Sequence, residues 1–253
     1  MLRLRQICLV AGELAPAVDE LAAVLGLETC FHDPAVAKYG LENALLPVGG
    51  NFLEVVAPVQ EGTAAGRYLD RRGGDGGYIV ILQCDDIEDR RARMAELGVR
   101  VANALDYGDF VGMQLHPRDT GGSMLETDWN DGSQAADGPW HPAGSDWQAA
   151  VRTEWTTAMT AAELQSDDPA ALAARWAEIL DRPVGTGADG NPEIQLDNAV
   201  LRFAAAADGR GEGLGGVDLQ AADAAAILAE ATARGLPVAG DTVTLCGTRF
   251  RLT

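Results

Sequence analysis

The sequence predicts an α+β fold made of paired βαβββ modules that form curved mixed sheets, with two such pairs on one chain. Three observations predict it. The run Gly49-Gly50-Asn51-Phe52-Leu53-Glu54 returns 72 positions on as Gly121-Gly122-Ser123-Met124-Leu125-Glu126, and the same ungapped shift relates Leu25-Gly26 to Leu97-Gly98 and Gly40 to Gly112. A single register held through helix, strand and turn positions marks a duplicated unit. Apolar periodicity also switches repeatedly between strand and helix spacing. Finally, residues 130–150 break the alternation with Gly, Asp, Ser and Pro before it resumes, which divides the chain into domains at 1–129 and 151–253 with a linker between.

Leu4 to Val10 alternate as a strand, and Gly12 to Gly26 carry Leu14, Val18, Leu21 and Leu25 on one helical face, with Gly26 as the stop. Leu27 to His32, Lys38 to Val48 and Phe52 to Ala57 read as three strands, separated by Asp33-Pro34 and by Pro47-Val48-Gly49-Gly50. The second copy runs strand Tyr78 to Cys84, helix Asp86 to Leu97, then strands Val99 to Leu105, Asp109 to His116 and Ser123 to Asp128, with a turn at Arg118 to Gly122. In the linker, Trp140 and Trp147 are expected to dock on a neighbouring surface. Beyond it come a strand from Trp155 to Leu164, a helix from Asp168 to Leu180 capped by Asp167-Asp168-Pro169, and strands at Glu193 to Leu196 and Ala199 to Ala205. The last unit has a strand at Gly216 to Ala221, a helix at Ala222 to Arg234, and strands at Pro237 to Leu245 and Thr248 to Leu252.

Composition narrows the function classes. A formal net charge of −19 repels phosphate backbones and anionic lipid, so neither nucleic acid nor a membrane surface is expected as a partner. No apolar leader run and no stretch of membrane-spanning length is found, which predicts a cytoplasmic protein. Cys8, Cys30, Cys84 and Cys246 lack CxxC spacing and read as reduced core thiols. Lys38 is the only lysine and no Gly-Lys-Ser or Gly-Lys-Thr occurs, so there is no phosphate-binding P-loop, and no Gly-x-Ser-x-Gly elbow is present. Gly185 to Gly190 match the letters of a dinucleotide fingerprint but lead into Asn191-Pro192, which reads as a turn.

Each copy places a carboxylate, Glu54 or Glu126, on an apolar strand after a glycine turn, where it needs a partner. On the first strand of each copy the polar residues are Gln6 and Tyr78, each 48 positions before its glutamate. Two carboxylates, an amide oxygen and a phenol converging on one cavity suit a hard or borderline divalent ion with open positions. Tyr107, Phe110, Met113, Gln114 and His116 are the candidate substrate-binding residues of the same half.

The paired modules, the glycine turn before Leu-Glu and the run His116-Pro117-Arg118-Asp119-Thr120-Gly121-Gly122 resemble the vicinal oxygen chelate superfamily of glyoxalases, epimerases, extradiol dioxygenases and bleomycin resistance proteins. The resemblance covers about residues 3–129 and is weaker over 150–253. It implies two glyoxalase-like domains, the second degenerate, and a divalent metal (Mn, Ni, Zn or Fe) on Gln6, Glu54, Tyr78 and Glu126, although the usual histidine ligands are absent. It further implies a metal-assisted lyase, isomerase or dioxygenase for a small oxygen-rich metabolite, with Glu54 or Glu126 as the catalytic base. The alternative is a metal-free small-molecule binding protein of the sequestering or resistance type, and a homodimer is left open. In the second half Arg202 and Arg251 stand where the glutamates would be; a cation cannot ligate a metal, so that half is expected to be a structural partner or to hold an anion.

Overall fold

The structure, a computed structural model, describes residues 1–132 and 135–253. Among these, two mixed sheets of seven and eight strands carry the fold. The first sheet contains β1 (Leu2–Val10), β2 (Leu41–Val48), β3 (Asn51–Pro58), β4 (Gly76–Cys84), β5 (Val101–Asp106), β6 (Phe110–Leu115) and β7 (Met124–Asn130), in the order β2-β3-β1-β4-β7-β6-β5. Its centre is the antiparallel pair β1 and β4; each first strand then takes the last strand of its own module in parallel, β3 on β1 and β7 on β4. This order is the 72-residue duplication expressed in space.

The second sheet repeats the plan with β8 (Thr156–Ser166), β9 (Val184–Thr186), β10 (Pro192–Gln195), β11 (Val200–Ala205), β12 (Gly213–Ala221), β13 (Val238–Ala239), β14 (Thr242–Leu245) and β15 (Thr248–Leu252), again centred on an antiparallel pair, β8 and β12. Helices α1 (Leu14–Leu25), α2 (Ala64–Arg72), α3 (Ile87–Glu96), α4 (Pro117–Thr120), α5 (Pro169–Leu180) and α6 (Ala224–Ala233) make the crossovers and connections. α5 begins as its sequence demands, with Asp168 accepting from the Ala171 N–H at 3.0 Å and a proline at the first turn.

Strand alternation gives the first sheet two different faces. Along β1, Leu2, Leu4, Ile7 and Leu9 join an apolar core shared with the helices and the second sheet, whereas Cys8 and Val10 join a second cluster around Phe52, Tyr78, Ile79, Ile81, Phe110 and the two linker tryptophans. The sheets meet closely enough that a Cβ on Gly77 would lie 2.5 Å from Leu214.

Several expectations fail locally; among them, the short strand β9 was not expected and the strand expected at Pro237 to Leu245 is the pair β13 and β14. Leu27 to His32 forms no strand, only one bridge from Phe31 to Leu45, and Pro34–Tyr39 is a short 3-10 helix capped by Asp33. The first module therefore has one strand fewer than the others, because Asp33-Pro34 favours a capped turn over a β ladder. α2 was not expected; Thr63 caps it by accepting from the Gly66 N–H, and Gly73 ends it at φ 72°. The turn at Arg118 to Gly122 contains α4.

Candidate functional site

A cavity of about 370 Å³ opens on the face of the first sheet that carries Gln6, Cys8, Glu54, Ile79, Ile81, Gln114, Glu126 and Asp128. One ladder rung supplies much of it: Asn103 pairs with Gln114, Gln114 with Glu126, Glu126 with Ile81 and Ile81 with Gln6. Glu54 stands beside Cys8 on the neighbouring rung, so the two duplicated glutamates face one space. The mouth is formed by the 3-10 segment with its cap (Asp33, Lys38, Tyr39), by Tyr107, and by His141-Pro142 from the linker, with Phe110 buried beneath.

Two arginines of β1 hold the linker: Arg3 donates to the Ala135 carbonyl at 2.8 Å, and Arg5 makes the larger set of contacts. Arg5 sits at a bulge of β1, is 1% exposed, and points its guanidinium at Phe52, Trp140 and Trp147 with centroid distances of 5.1, 5.4 and 5.6 Å. It also donates to the Gly50, Ala136 and Gly138 carbonyls. Both linker tryptophans are thus buried, as their placement among polar residues led us to expect. His141 then stacks on Tyr107 at 4.8 Å over the cavity mouth.

Three carboxyl groups lie buried in the cavity, two of them with amide side chains as partners. Glu54 accepts from Gln6 Nε2 at 2.8 Å and from Asn43 Nδ2 at 2.6 Å; Glu126 accepts from Gln114 Nε2 at 2.9 Å. Burial pushes Glu54 above the usual carboxylate range, against the pull of these amide donors. Burial, opposed by the Gln114 hydrogen bond and reinforced by Glu54, raises Glu126 to about 7. Asp128, two residues along the same strand, is pushed well up by burial and by Glu126, to which it hydrogen-bonds. The two carboxyl groups lie close enough for each to influence the other's titration, and burial raises both.

All four proposed ligand positions line the cavity, but two of them are poor donors there. The indole N–H of Trp140, which can only donate, reaches Gln6 Oε1 at 2.7 Å; this fixes the Gln6 amide with its oxygen toward the indole and its NH₂ toward Glu54. Tyr78 falls at a bulge of the β1–β4 ladder, lines the cavity edge and packs on Tyr68 at 4.9 Å, where burial raises its phenol and keeps it neutral. The first-strand positions beside the two glutamates are Cys8 and Ile81, so the equal 48-residue spacing did not identify structural equivalents. Among the described residues, no group of three or more His, Cys, Asp or Glu side chains is placed to hold a metal ion. Of the four, Gln6 has its amide oxygen committed to Trp140 and Tyr78 is a neutral phenol at the cavity edge, which leaves Glu54 and Glu126 as the anionic donors facing the cavity.

Of the candidate substrate-binding residues, Tyr107, Phe110 and Gln114 line the cavity. Met113 does not: it alternates with Gln114 on β6 and is buried in the opposite core. His116 is also absent from the lining; its Nδ1 accepts from the Arg118 N–H and caps α4. Asp128, Asn103, Lys38 and His141 line the cavity without having been singled out. Asp128 had a signal, two residues from Glu126 on one strand.

On the second sheet the carboxylates are paired with arginines instead. Arg202 is bound by Asp218 at 2.9 Å, Glu193 at 3.3 Å and Glu163 at 3.5 Å, and Arg251 also pairs with Asp218. Both arginines pair with carboxylates of their own sheet, the arrangement the structural-partner alternative expects.

Fold and cavity together define an α+β protein of vicinal-oxygen-chelate type, two modules per sheet. A family model described as a glyoxalase-like domain matches residues 7–180, and the chain belongs to that family. Among solved structures, it is similar over 100% of its length to 99% of a hypothetical protein from Staphylococcus aureus, at 14% identity and a TM-score of 0.69. About half of it is similar to a hypothetical protein from Bacillus halodurans (21% identity, 53% of this chain and 97% of that one, TM-score 0.47). Methylmalonyl-CoA epimerase from Mycobacterium tuberculosis is comparable (23% identity, 50% and 87%, TM-score 0.45). No curated protein matches the chain. No helix among the described residues is long and apolar enough to cross a membrane.

Proposed function

We propose that the cavity of the first sheet takes up a small molecule and moves a proton on and off it, with Glu126 as the base and no metal in the step. The observation that carries this reading is the buried Glu126–Asp128 carboxyl pair, in which Glu126 is raised to about 7. A base is most effective when its pKa lies near the working pH. Gln114 orients Glu126 through its amide, and protonated Asp128 stabilises the carboxylate before it accepts the proton. Glu54, tied to Gln6 and Asn43, walls the far side. The largely apolar lining excludes water and would hold the ligand's body.

In this reading the functional unit is residues 1–129 together with the strap at 130–150, and residues 151–253 form its structural partner. A metal-assisted lyase, isomerase or dioxygenase would need ligands that Gln6 and Tyr78 do not offer. A sequestering protein would use the same cavity without turnover, a reading favoured by the Tyr107–His141 stack at its mouth. Incubation of the protein in D₂O with a panel of α-keto acids and α-hydroxy ketones, followed by proton NMR, separates the two. Exchange at the acidic carbon that is lost in Glu126→Gln supports proton transfer; binding with no exchange supports sequestration.

A further inference from the structure

A polar track leads from the cavity mouth to the base. Lys38 Nζ lies 3.2 Å from Tyr107 Oη and sits over the rings of Tyr39 at 4.9 Å and Tyr107 at 5.6 Å. Tyr39 Oη accepts from Asn103 Nδ2 at 2.8 Å, the same Nδ2 donates to Gln114 Oε1 at 3.1 Å, and Gln114 donates to Glu126. Lys38 is the only lysine of the chain and, among the described residues, the only Lys or Arg lining the cavity. No ion pair to Lys38 is found among the described residues. Its hydrogen bonds to the two phenols raise its pKa, so the ammonium stays charged.

We propose that Lys38 is a specificity-determining residue that anchors an anionic oxyacid group, carboxylate or phosphate, of a ligand whose apolar body enters the cavity toward Glu126. This deepens the reading of the cavity as the ligand site and rests on it. With a net charge of −19, the protein repels anions at long range, so an anionic ligand needs a local cation where it enters. A flexible ammonium with donors to spare, steered by two aromatic rings, provides one. A cationic ligand would meet Lys38 at the mouth as a like charge.

Four probes sharing one apolar body test the proposal: phenylpropionate, phenylpropyl phosphate, phenylpropylamine and phenylpropanol, titrated calorimetrically into the whole chain and into Lys38→Gln and Lys38→Arg. Expected is binding of at least one oxyacid about tenfold tighter than the alcohol. That advantage should be lost in Lys38→Gln and kept in Lys38→Arg; which oxyacid wins tells carboxylate from phosphate. An amine that binds as tightly as the oxyacids, or an oxyacid advantage that survives in Lys38→Gln, overturns the anchor while leaving the Glu126 reading intact. Failure of all four to bind overturns both. A normal carboxylate titration of Glu126 alongside a Lys38-dependent oxyacid preference would overturn only the proton-transfer reading.

Discussion

The indole N–H of Trp140 and the amide oxygen of Gln6 are 2.7 Å apart, and this contact sets the chemistry of the cavity floor. Because indole nitrogen only donates, the amide must turn its NH₂ to Glu54, and a residue well placed by sequence to ligate a metal becomes a hydrogen-bond donor. Trp140→Phe should cost about 1–3 kcal/mol in urea unfolding, the usual penalty for a buried acceptor left without its partner. A loss below a few tenths of that would show that the indole contact contributes little.

The metal reading has its own check. Dialysis against Mn, Ni, Zn or Fe should leave the melting temperature unchanged, since an ion bound at a hundred times its dissociation constant would add about 2.7 kcal/mol. A metal-induced rise that disappears in Glu54→Gln would mean that the floor rearranges to accept an ion.

Burying Glu126 gives stability a pH dependence whose sign follows from the direction of its shift. The folded-state pKa, about 7, lies above the ordinary 4.5, so the favourable contribution of the protonated group is complete below pH 4.5 and is lost as pH rises through about 7. The difference amounts to about 3 kcal/mol. Glu126→Gln should flatten this part of the stability profile and be the more stable protein at pH 8; parallel profiles for the two proteins would contradict the shift.

In the second sheet, Arg202→Leu should destabilise by about 1.5–3 kcal/mol, because it removes the charged donors to buried Asp218 and leaves Arg251 as the remaining partner of that carboxylate. Probe binding in the first-sheet cavity should be unaffected. A loss of probe binding with the fold intact would mean that the second half shapes the site.

Much of the fold was legible because duplication leaves a register: the glycine turns and the two glutamates repeat at 72 residues, and the structure brings both glutamates to one cavity. What escaped was set by local geometry or tertiary approach. The bulges that displace Arg5 and Tyr78 from the ladder have no sequence period, so spacing chose Tyr78 where the register places Ile81 beside Glu126. Met113 and Gln114 could not both face the cavity from one strand, and alternation alone would have removed Met113. Asp128 was readable in the same way, from Glu126. Lys38 and His141 were not, because a 3-10 turn and a strap deliver them to the cavity mouth from outside the repeat.

The central claim is that burial raises Glu126 and that Asp128 influences its titration in the cavity, and carbon-13 NMR of the carboxyl groups as a function of pH tests it most directly. The account predicts a Glu126 resonance that titrates near neutrality in the wild type and shifts its midpoint in Asp128→Asn. A Glu126 carboxyl that titrates near 4.5 and ignores that substitution would contradict it.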